Sequence, residues 1–329
     1  ILAVILASTV LLTALGLVSI LVVSPPRIPI TVEKVADAAS LGAGTLLEAL
    51  FPLSGFGALL NGAFLLPVFF LAFLIGWACA VDKQNTKPLI FLTTACTRIF
   101  TFLTNFIQDF LTVGMVADAM HWAITFRGVM APGIFNRLFL VLAADLVLVA
   151  FGIYPLIAWQ LCGRRNPYRI LYGSIAPAIA AFFSGDTNFV LALNIRHTKE
   201  LAGSRTPVVG VSAALFSIFA RGGSSLTAAV SFVVILNSYS SLGISPANLL
   251  WIACMSLGLS FLLPASPSGG AFILLTVLCS RYGQGFEAGY LLLKGAAVII
   301  CSFACAIDAL TAVFGTCIVT HRLEMADLA

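Results

Sequence analysis

Charged side chains are scarce in this sequence. Only 9% of its 329 residues are Asp, Glu, Lys or Arg, whereas 60% are hydrophobic, and the mean hydropathy is +1.09. Too few polar groups remain to cover the surface of a water-soluble globule of this length. Residues 222–280 contain no charged residue at all. The composition therefore predicts an integral membrane protein with several apolar spans.

Sequence features that mark other classes of protein are also missing. There is no P-loop of the form GxxxxGK[ST], and no filter sequence of the kind that lines a channel is evident. The eight cysteines form no CxxC pair, so they are interpreted as small packing residues and no metal site is expected. No membrane-embedded Ser/His pair or matched pair of aspartates indicates an enzyme. These absences favour a carrier over a pump, a channel or an enzyme, and no catalytic residue is assigned.

Two polar interruptions rich in Gly, Ser and Pro break apolar stretches of the chain. The first is residues 183–188 within a segment at 170–202, and the second is residues 263–270 within a segment at 245–282. The halves on either side are too short to cross a bilayer alone. Irregular backbone costs several kcal/mol per unsatisfied group in lipid, so it must line a cavity inside the protein. Both segments are therefore predicted to be re-entrant helical hairpins.

Basic residues predict the orientation of these hairpins. Residues 164–169 hold three arginines, and residues 196–205 are also basic, so both ends of the first hairpin are expected on the cytoplasmic side. One span at 207–238 then separates it from the second hairpin, which should open outward. The two form an inverted repeat whose tips are expected to meet near the membrane midplane, at a site for a solute or an ion.

The remaining apolar stretches are predicted to span the membrane as helices. One of them contains several Pro and Gly residues and is expected to be broken, and another is long enough to be a bent pair. The chain lacks an initiator Met and a signal peptide, so it is expected to begin inside a longer protein. The stretches are residues 1–23, 46–81 (broken), 89–126 (long or bent), 134–161 and 290–320.

The order of these elements and several local strings resemble the dicarboxylate/amino acid:cation symporter family, the glutamate transporters. Residues 56–62 (FGALLNG) and 66–70 (LPVFF) are similar to the fourth transmembrane segment of that family. Residues 315–319 (GTCIV) resemble the end of its eighth segment, and residues 267–270 (PSGG) resemble the Pro-Gly-Ala-Gly tip of its second hairpin. The resemblance covers nearly the whole chain, which would start at the third segment.

The resemblance implies a homotrimer with an elevator-like mechanism. A scaffold part, residues 45–128, would stay in place, while a transport part, residues 1–25 and 130–329, would carry the solute. The implied function is secondary transport of an acidic amino acid or a dicarboxylate across a prokaryotic inner membrane, coupled to Na+ or H+. Two alternatives stay open, an exchanger or uncoupled carrier for a neutral amino acid, and an ion channel. No enzyme cofactor and no nucleic-acid partner are expected.

The resemblance and the register along the chain also give the candidate site residues. The substrate is expected to bind Ser184, Gly185, Asp186, Thr187, Arg221, Ser224, Ser266, Pro267, Gly270, Cys305 and Asp308. A coupling cation is expected, with weaker support, at Ser8, Thr9, Ala220, Ser260 and Asp308.

Departures from the family pattern concern the sodium ligands. The family motif Asn-Met-Asp-Gly-Thr falls on residues 220–224, Ala-Arg-Gly-Gly-Ser, so the sodium-binding aspartate is missing. By the same register the second sodium carboxylate falls on Ala312, and the arginine that reads an acidic side chain falls on Ala304. The aspartate that would bind the substrate amino group falls on Cys301. These changes predict an atypical or reduced dependence on sodium.

Arg221 is the most unusual residue of this set. A permanently charged guanidinium near the midplane costs ~3 kcal/mol or more unless it is paired. Asp308 is the first expected partner and Asp186 the second. One hypothesis is that Arg221 supplies the positive charge that sodium ions would otherwise bring. The alternative is that it only locks helices together through a buried ion pair.

Four carboxylates within the apolar stretches need an interpretation. Asp186 and Asp308 are candidate proton carriers, although Asp186 is equally well explained as a cap of the second half of the first hairpin. Asp145 and Asp109 are isolated within spans. Each is interpreted as a partner for a cation such as Arg98 or as a polar contact between helices.

Overall fold

The computed structural model describes residues 1–23, 27–28, 65–162, 166–187, 189–202, 206–239, 245–262, 270–283 and 285–326. Every regular element in these ranges is helical, which confirms the all-α prediction. The helices are α1 (Leu2–Val23), α2 (Leu65–Val81), α3 (Lys87–Met130), α4 (Asn136–Leu148), α5 (Tyr154–Leu161), α6 (Pro167–Ser184), α7 (Leu191–Ala202), α8 (Thr206–Phe219), α9 (Gly222–Tyr239), α10 (Pro246–Ser260), α11 (Gly270–Tyr282) and α12 (Ala297–Ala326).

Several predicted features lie outside the described residues. They are the loop at 27–43 except its first two residues, the first half of the broken stretch at 46–81, the glycine and first two arginines of the basic cluster, and positions 263–269 at the tip of the second hairpin.

Within the described residues, four helical stretches are long and apolar enough to cross a membrane, judged by length and composition. They are Leu2–Val23, Asn136–Leu161, Val208–Tyr239 and Gly289–Leu323. A π-helical turn, Val149–Ile153, joins α4 to α5, and a 3-10 turn, Gly289–Ala296, leads into α12. The π turn ends two residues before Pro155, whose missing N–H interrupts the regular bonding pattern of an α-helix.

Helix α3 is a single helix of 44 residues. At 1.5 Å per residue it is about 66 Å long, roughly twice the thickness of the hydrocarbon core. The prediction left open whether this stretch is one long span or a bent pair, and the structure shows one continuous helix. Much of its apolar surface is exposed in the single chain, as at Phe91, Phe102 and Ile124.

Both segments predicted to be hairpins consist of two helices packed against each other. Gly173, near the start of α6, lies so close to Leu201, near the end of α7, that an added Cβ would be 2.7 Å from the leucine side chain. In the second segment the rings of Trp251 on α10 and Tyr282 on α11 are 5.2 Å apart. The two helices of each segment are therefore antiparallel.

The predicted single helix at 207–238 is wrong, because the structure breaks it at Ala220 and Arg221. The Arg221 N–H donates to Phe219 O at 2.9 Å, and α9 starts with Gly222 and Gly223. Glycine is a poor helix former, and the Gly223 N–H donates to Asp308 Oδ1 on α12 at 2.6 Å. A carboxylate from another helix thus satisfies a free N–H at the start of α9 and stabilises the break.

Helices α9 and α12 form the buried centre of the bundle. Small residues let the neighbouring helices approach closely, as is typical of membrane bundles. Gly16 on α1 lies against Leu226, Gly222 lies against Thr9, and Gly315 on α12 lies against the ring of Phe216. Between α1 and α9, the hydroxyls of Thr13 and Ser225 are 2.7 Å apart, and both residues are buried.

Replacing Thr13 by Val should lower the free energy of unfolding by about 1 kcal/mol, because it removes this bond between helices at nearly constant volume. The measurement is the thermal melting of the purified protein. Thr316→Val is the matched control, since the Thr316 hydroxyl is also buried but, among the described residues, bonds within its own helix, to Ala312 O. An equal loss in both variants would show that the contact between helices contributes nothing of its own.

Candidate functional site

The break between α8 and α9 faces the tip of the first hairpin and the middle of α12. Five residues define what we call the charged site: Thr187, Arg221, Ser224, Cys305 and Asp308. Each of them is at most 5% exposed. Two opposite charges are therefore enclosed within a largely apolar bundle.

Asp308 is held by α9. Its Oδ1 accepts the Gly223 N–H at 2.6 Å, and its Oδ2 accepts the Ser224 hydroxyl at 2.8 Å. The positive end of the α9 dipole points at the same carboxylate. An ionised carboxylate is the form that accepts from two donors in this way.

Arg221 connects three elements. Its Nη1 donates to the Thr187 hydroxyl at the tip of the first hairpin, and its Nε donates to Ile218 O on α8 at 3.4 Å. The guanidinium also interacts electrostatically with Asp308 on α12. The structure thus places Asp308 within reach of the Arg221 charge, as the sequence register predicts.

Cys305 lies one turn before Asp308 on α12. It packs against Ala180, Ala181 and Val190 of the first hairpin, and the charges of Asp308, Arg221 and Asp186 all act on its thiol. Asp186 therefore belongs to the same neighbourhood.

The tip of the first hairpin has a defined backbone. Helix α6 ends at Ser184, and the next residue, Gly185, has a φ of 64°, the left-handed conformation that favours glycine. The Ser184 hydroxyl lies 3.4 Å from the Asp186 N–H and 3.3 Å from Asp186 O. Helix α7 begins at Leu191, so Asp186 is not at its cap position and the capping interpretation is wrong.

The rest of the predicted substrate set is only partly described. Ser266 and Pro267 lie outside the described residues, and Gly270 is the first residue of α11. The predicted meeting of the two hairpin tips stays a prediction for the same reason.

The hydroxyls among the predicted cation ligands form hydrogen bonds within their own helices, and Ala220 is apolar. The hydroxyls of Ser8 and Thr9 donate to Ile5 O, and the Ser260 hydroxyl donates to Leu257 O. Ala220 packs in an apolar cluster that also contains Ala312, the position of the second sodium carboxylate in the family. In the part of the chain that the structure describes, no group of three or more His, Cys, Asp or Glu residues could hold a metal ion.

Two further polar contacts were not predicted in detail. The ring of Trp122 on α3 stacks on Phe126 and contacts Phe182 at the end of α6. Its Nε1 donates to the Ser302 hydroxyl on α12 at 3.0 Å. Helix α3 thus contacts both the end of α6 and α12. No sequence signal marked Trp122, whereas Phe182 directly precedes the polar interruption.

Asp145 accepts a hydrogen bond from Ser19 on α1 at 2.8 Å, which confirms that it makes a polar contact between helices. Arg98 is exposed on α3, so the alternative ion pair is wrong for Asp145. The side chain of Asp109 lies outside the described part.

The arrangement suits a small zwitterion. A buried guanidinium can bind a carboxylate, a buried carboxylate can bind an ammonium group, and the hydroxyls of Thr187 and Ser224 lie beside them. The ends of interrupted helices also provide partial charges for such a ligand.

Comparison with known proteins gives one family and a consistent group of relatives. The model of the sodium:dicarboxylate symporter family matches residues 1–322. The chain is similar to the serine/threonine transporter SstT of Lacticaseibacillus casei, with 25% identity over 258 residues, 76% of this chain and 56% of the relative. It is similar to SstT of Streptococcus thermophilus, with 27% identity over 223 residues, 64% of this chain and 51% of the relative. The chain spans about half the length of the curated relatives it matches.

Proposed function

Because the chain belongs to the sodium:dicarboxylate symporter family, we propose that it is a secondary transporter which binds a small amino acid at the charged site and moves it across the membrane. The observation that carries this proposal is the enclosed pair of Arg221 and Asp308 at the meeting point of a helix break, a hairpin tip and α12. The family match agrees with the expectation from the sequence motifs.

A neutral amino acid with a hydroxyl group fits this site best. Arg221 would bind the α-carboxylate, Asp308 the α-ammonium group, and the hydroxyls of Thr187 and Ser224 the side chain. The family position for an arginine that reads an acidic side chain is Ala304, which is fully buried. The relatives described above are named for serine and threonine, which agrees with a neutral solute.

An acidic amino acid or a dicarboxylate is the second candidate, because the family is described by dicarboxylates. In that case Arg221 would bind the second carboxylate in place of the missing arginine. The two candidates differ in whether the solute needs a second carboxylate for binding.

The residues at and near the charged site also bear on which ion drives transport. By register the two sodium-binding carboxylates of the family fall on Gly222, which lies against Thr9, and on Ala312, which packs in an apolar cluster with Ala220. Arg221 provides a fixed positive charge beside Asp308, which supports transport that depends little on sodium. Coupling to H+ or a weak coupling to Na+ remains compatible with this site.

An elevator-like movement in a homotrimer is proposed from the resemblance. Residues 45–128 would form the scaffold, and residues 1–25 and 130–329 would move. Helix α3, which ends at Met130, supports this division, because its exposed apolar surface offers contacts to lipid or to other copies. The contact of Trp122 with Ser302 would then lie between the fixed and the moving part. Bacterial relatives support a plasma-membrane location.

A thermal-shift screen tests the proposed solute. Serine or threonine at 100 times its dissociation constant should stabilise the purified protein by about 2.7 kcal/mol and raise its melting temperature, with or without sodium. 3-Hydroxypropionate is the matched control, because it keeps the carboxylate and the side-chain hydroxyl of serine but lacks the ammonium group that Asp308 would bind. A larger shift with aspartate or succinate would establish the second candidate instead. If no amino acid or dicarboxylate shifts the melting temperature, the proposed solute class is wrong.

A further inference from the structure

The inner face of α7, the second helix of the first hairpin, carries a buried amide side chain. Asn194 is 1% exposed, and within the described part of the chain neither its Nδ2 nor its Oδ1 has a hydrogen-bond partner. Buried polar groups are paired in the large majority of cases, because an unpaired donor or acceptor has lost its bonds to water and gained none in return. The arrangement of helices in the structure is therefore unfavourable at this residue.

A second unpaired polar group lies on α8, which packs against α7. The Ser217 hydroxyl is buried, and no described residue bonds to it. Other buried hydroxyls on the same two helices are paired within their own helix. The Thr198 hydroxyl donates to Asn194 O at 2.6 Å, and the Ser212 hydroxyl donates to Val208 O at 2.7 Å. Among the described residues of α7 and α8, the missing bonds are thus particular to the Asn194 amide and the Ser217 hydroxyl.

Both unpaired groups lie beside the same part of α12. Val190, one helical turn before the unpaired asparagine, packs against Ala309. Phe216, directly before the unpaired serine, lies against Gly315. Ala309 directly follows Asp308 of the charged site along α12. The two unpaired groups therefore border the charged site, on α7 and α8.

The chemistry of an amide decides what can pair with it. The Nδ2 of Asn194 needs an acceptor, and its Oδ1 needs a donor. A bare cation would bind only the oxygen and an anion only the nitrogen, whereas water satisfies both atoms. Both atoms are enclosed in the structure, so water reaches them only when α7 separates from its neighbours. Separation of α7 would thus pair a group that is unpaired in the closed arrangement.

The opposite face of α7 is charged. The side chains of Arg196 and Glu200 are 56% and 62% exposed, and Arg196 Nε lies 3.7 Å from Glu200 Oε1. The helix has 12 residues, so it is about 18 Å long and too short to cross a bilayer. A short helix with a charged outer face can move into water without exposing a large apolar surface.

We propose that α7 is the gate of the charged site on the side that the basic residues predict to be cytoplasmic, and that Asn194 and Ser217 favour its opening because water pairs them only in the open state. The bond from Arg221 to Thr187, at the hairpin tip before α7, holds the gate closed. Opening breaks this bond and lets a bound solute leave into water. The role in solute release rests on the proposed function, whereas the opening of α7 does not.

Hydrogen exchange measured by mass spectrometry tests the opening. Asn194→Leu keeps the size of the side chain but removes the amide, so the closed state is no longer destabilised. The backbone N–H groups of residues 191–202 should then exchange about tenfold more slowly than in the wild type, with exchange in residues 222–239 unchanged. Ser217→Ala removes the second unpaired group without adding volume and should also slow exchange in α7.

Thr198→Val is the matched control for the exchange experiment. It removes a buried hydroxyl on the same face of α7, but that hydroxyl is already bonded within the helix, so the variant should not slow exchange. Exchange in α7 that is slowed by neither Asn194→Leu nor Ser217→Ala overturns the proposal, whether or not the protein transports anything.

Solute affinity and uptake into proteoliposomes test the role in release. Asn194→Leu should bind the solute at least as tightly as the wild type but transport it about tenfold more slowly, because opening becomes limiting. Thr198→Val should match the wild type in both measurements. Unchanged uptake in Asn194→Leu together with slowed exchange would overturn the role of α7 as the gate. If the wild type binds and transports no solute while the exchange behaves as expected, the proposed function fails and the opening of α7 stands.

Discussion

Replacing Arg221 by Met is expected to weaken solute binding by about 3 kcal/mol, roughly 100-fold, and to abolish uptake at low solute concentrations. Methionine keeps the length and apolar character of the side chain but removes the charge. Asp308 would then lie buried without its neighbouring cation, and the solute carboxylate would lose its partner. The measurement is solute affinity by calorimetry, together with uptake into proteoliposomes with and without sodium.

Two controls separate charge from geometry. Arg221→Lys keeps the charge but loses the planar fork of donors, so a smaller loss of about tenfold is expected. Arg98→Met removes an exposed arginine of α3 and should leave affinity and uptake unchanged. Unchanged transport and unchanged cation dependence in Arg221→Met would show that Arg221 only joins helices.

Replacing Gly223 by Ala is expected to lower the free energy of unfolding by about 1–3 kcal/mol and to abolish solute binding. The added Cβ would lie 2.6 Å from Ala304 O, 2.7 Å from Ile307 Cβ and 2.9 Å from Asp308 Oδ1. Helices α9 and α12 would have to move apart, and Asp308 would lose its bond to the Gly223 N–H. Thermal melting and solute binding measure the two effects.

Gly258→Ala is the matched control for this substitution. Gly258 also lies within an apolar helix, α10, but an added Cβ there meets no atom within 4 Å. Alanine favours a helix over glycine, so this variant should be as stable as the wild type or slightly more stable. If Gly223→Ala behaves in the same way, the close contact of α9 with α12 does not define the site.

The helices and the polar site residues could be predicted from the sequence because apolar length and polar interruptions are local signals. Residues 185–187, within the predicted interruption, are not helical, and Arg221 stood out because a charge is rare in such a stretch. The family resemblance rested on the order of several strings and is confirmed by the family match.

The break at Ala220 could not be predicted from local sequence. Two glycines are tolerated inside membrane helices, so the pair after Arg221 did not by itself indicate a break. What stabilises it is the carboxylate of Asp308, 85 positions away from Gly223 along the chain. The bond from Ser19 to Asp145 is equally remote in sequence, and only the packing of α1 on α4 brings the two residues together.

Uptake in the absence of sodium tests the central claim most directly, namely that Arg221 provides at the charged site the positive charge that sodium supplies elsewhere in the family. The purified wild-type protein is reconstituted into liposomes, sodium is replaced by choline on both sides, and uptake of the solute that stabilises the protein most is measured. We expect uptake to persist at a rate similar to that in sodium. Uptake that stops without sodium and returns when it is added would contradict the claim.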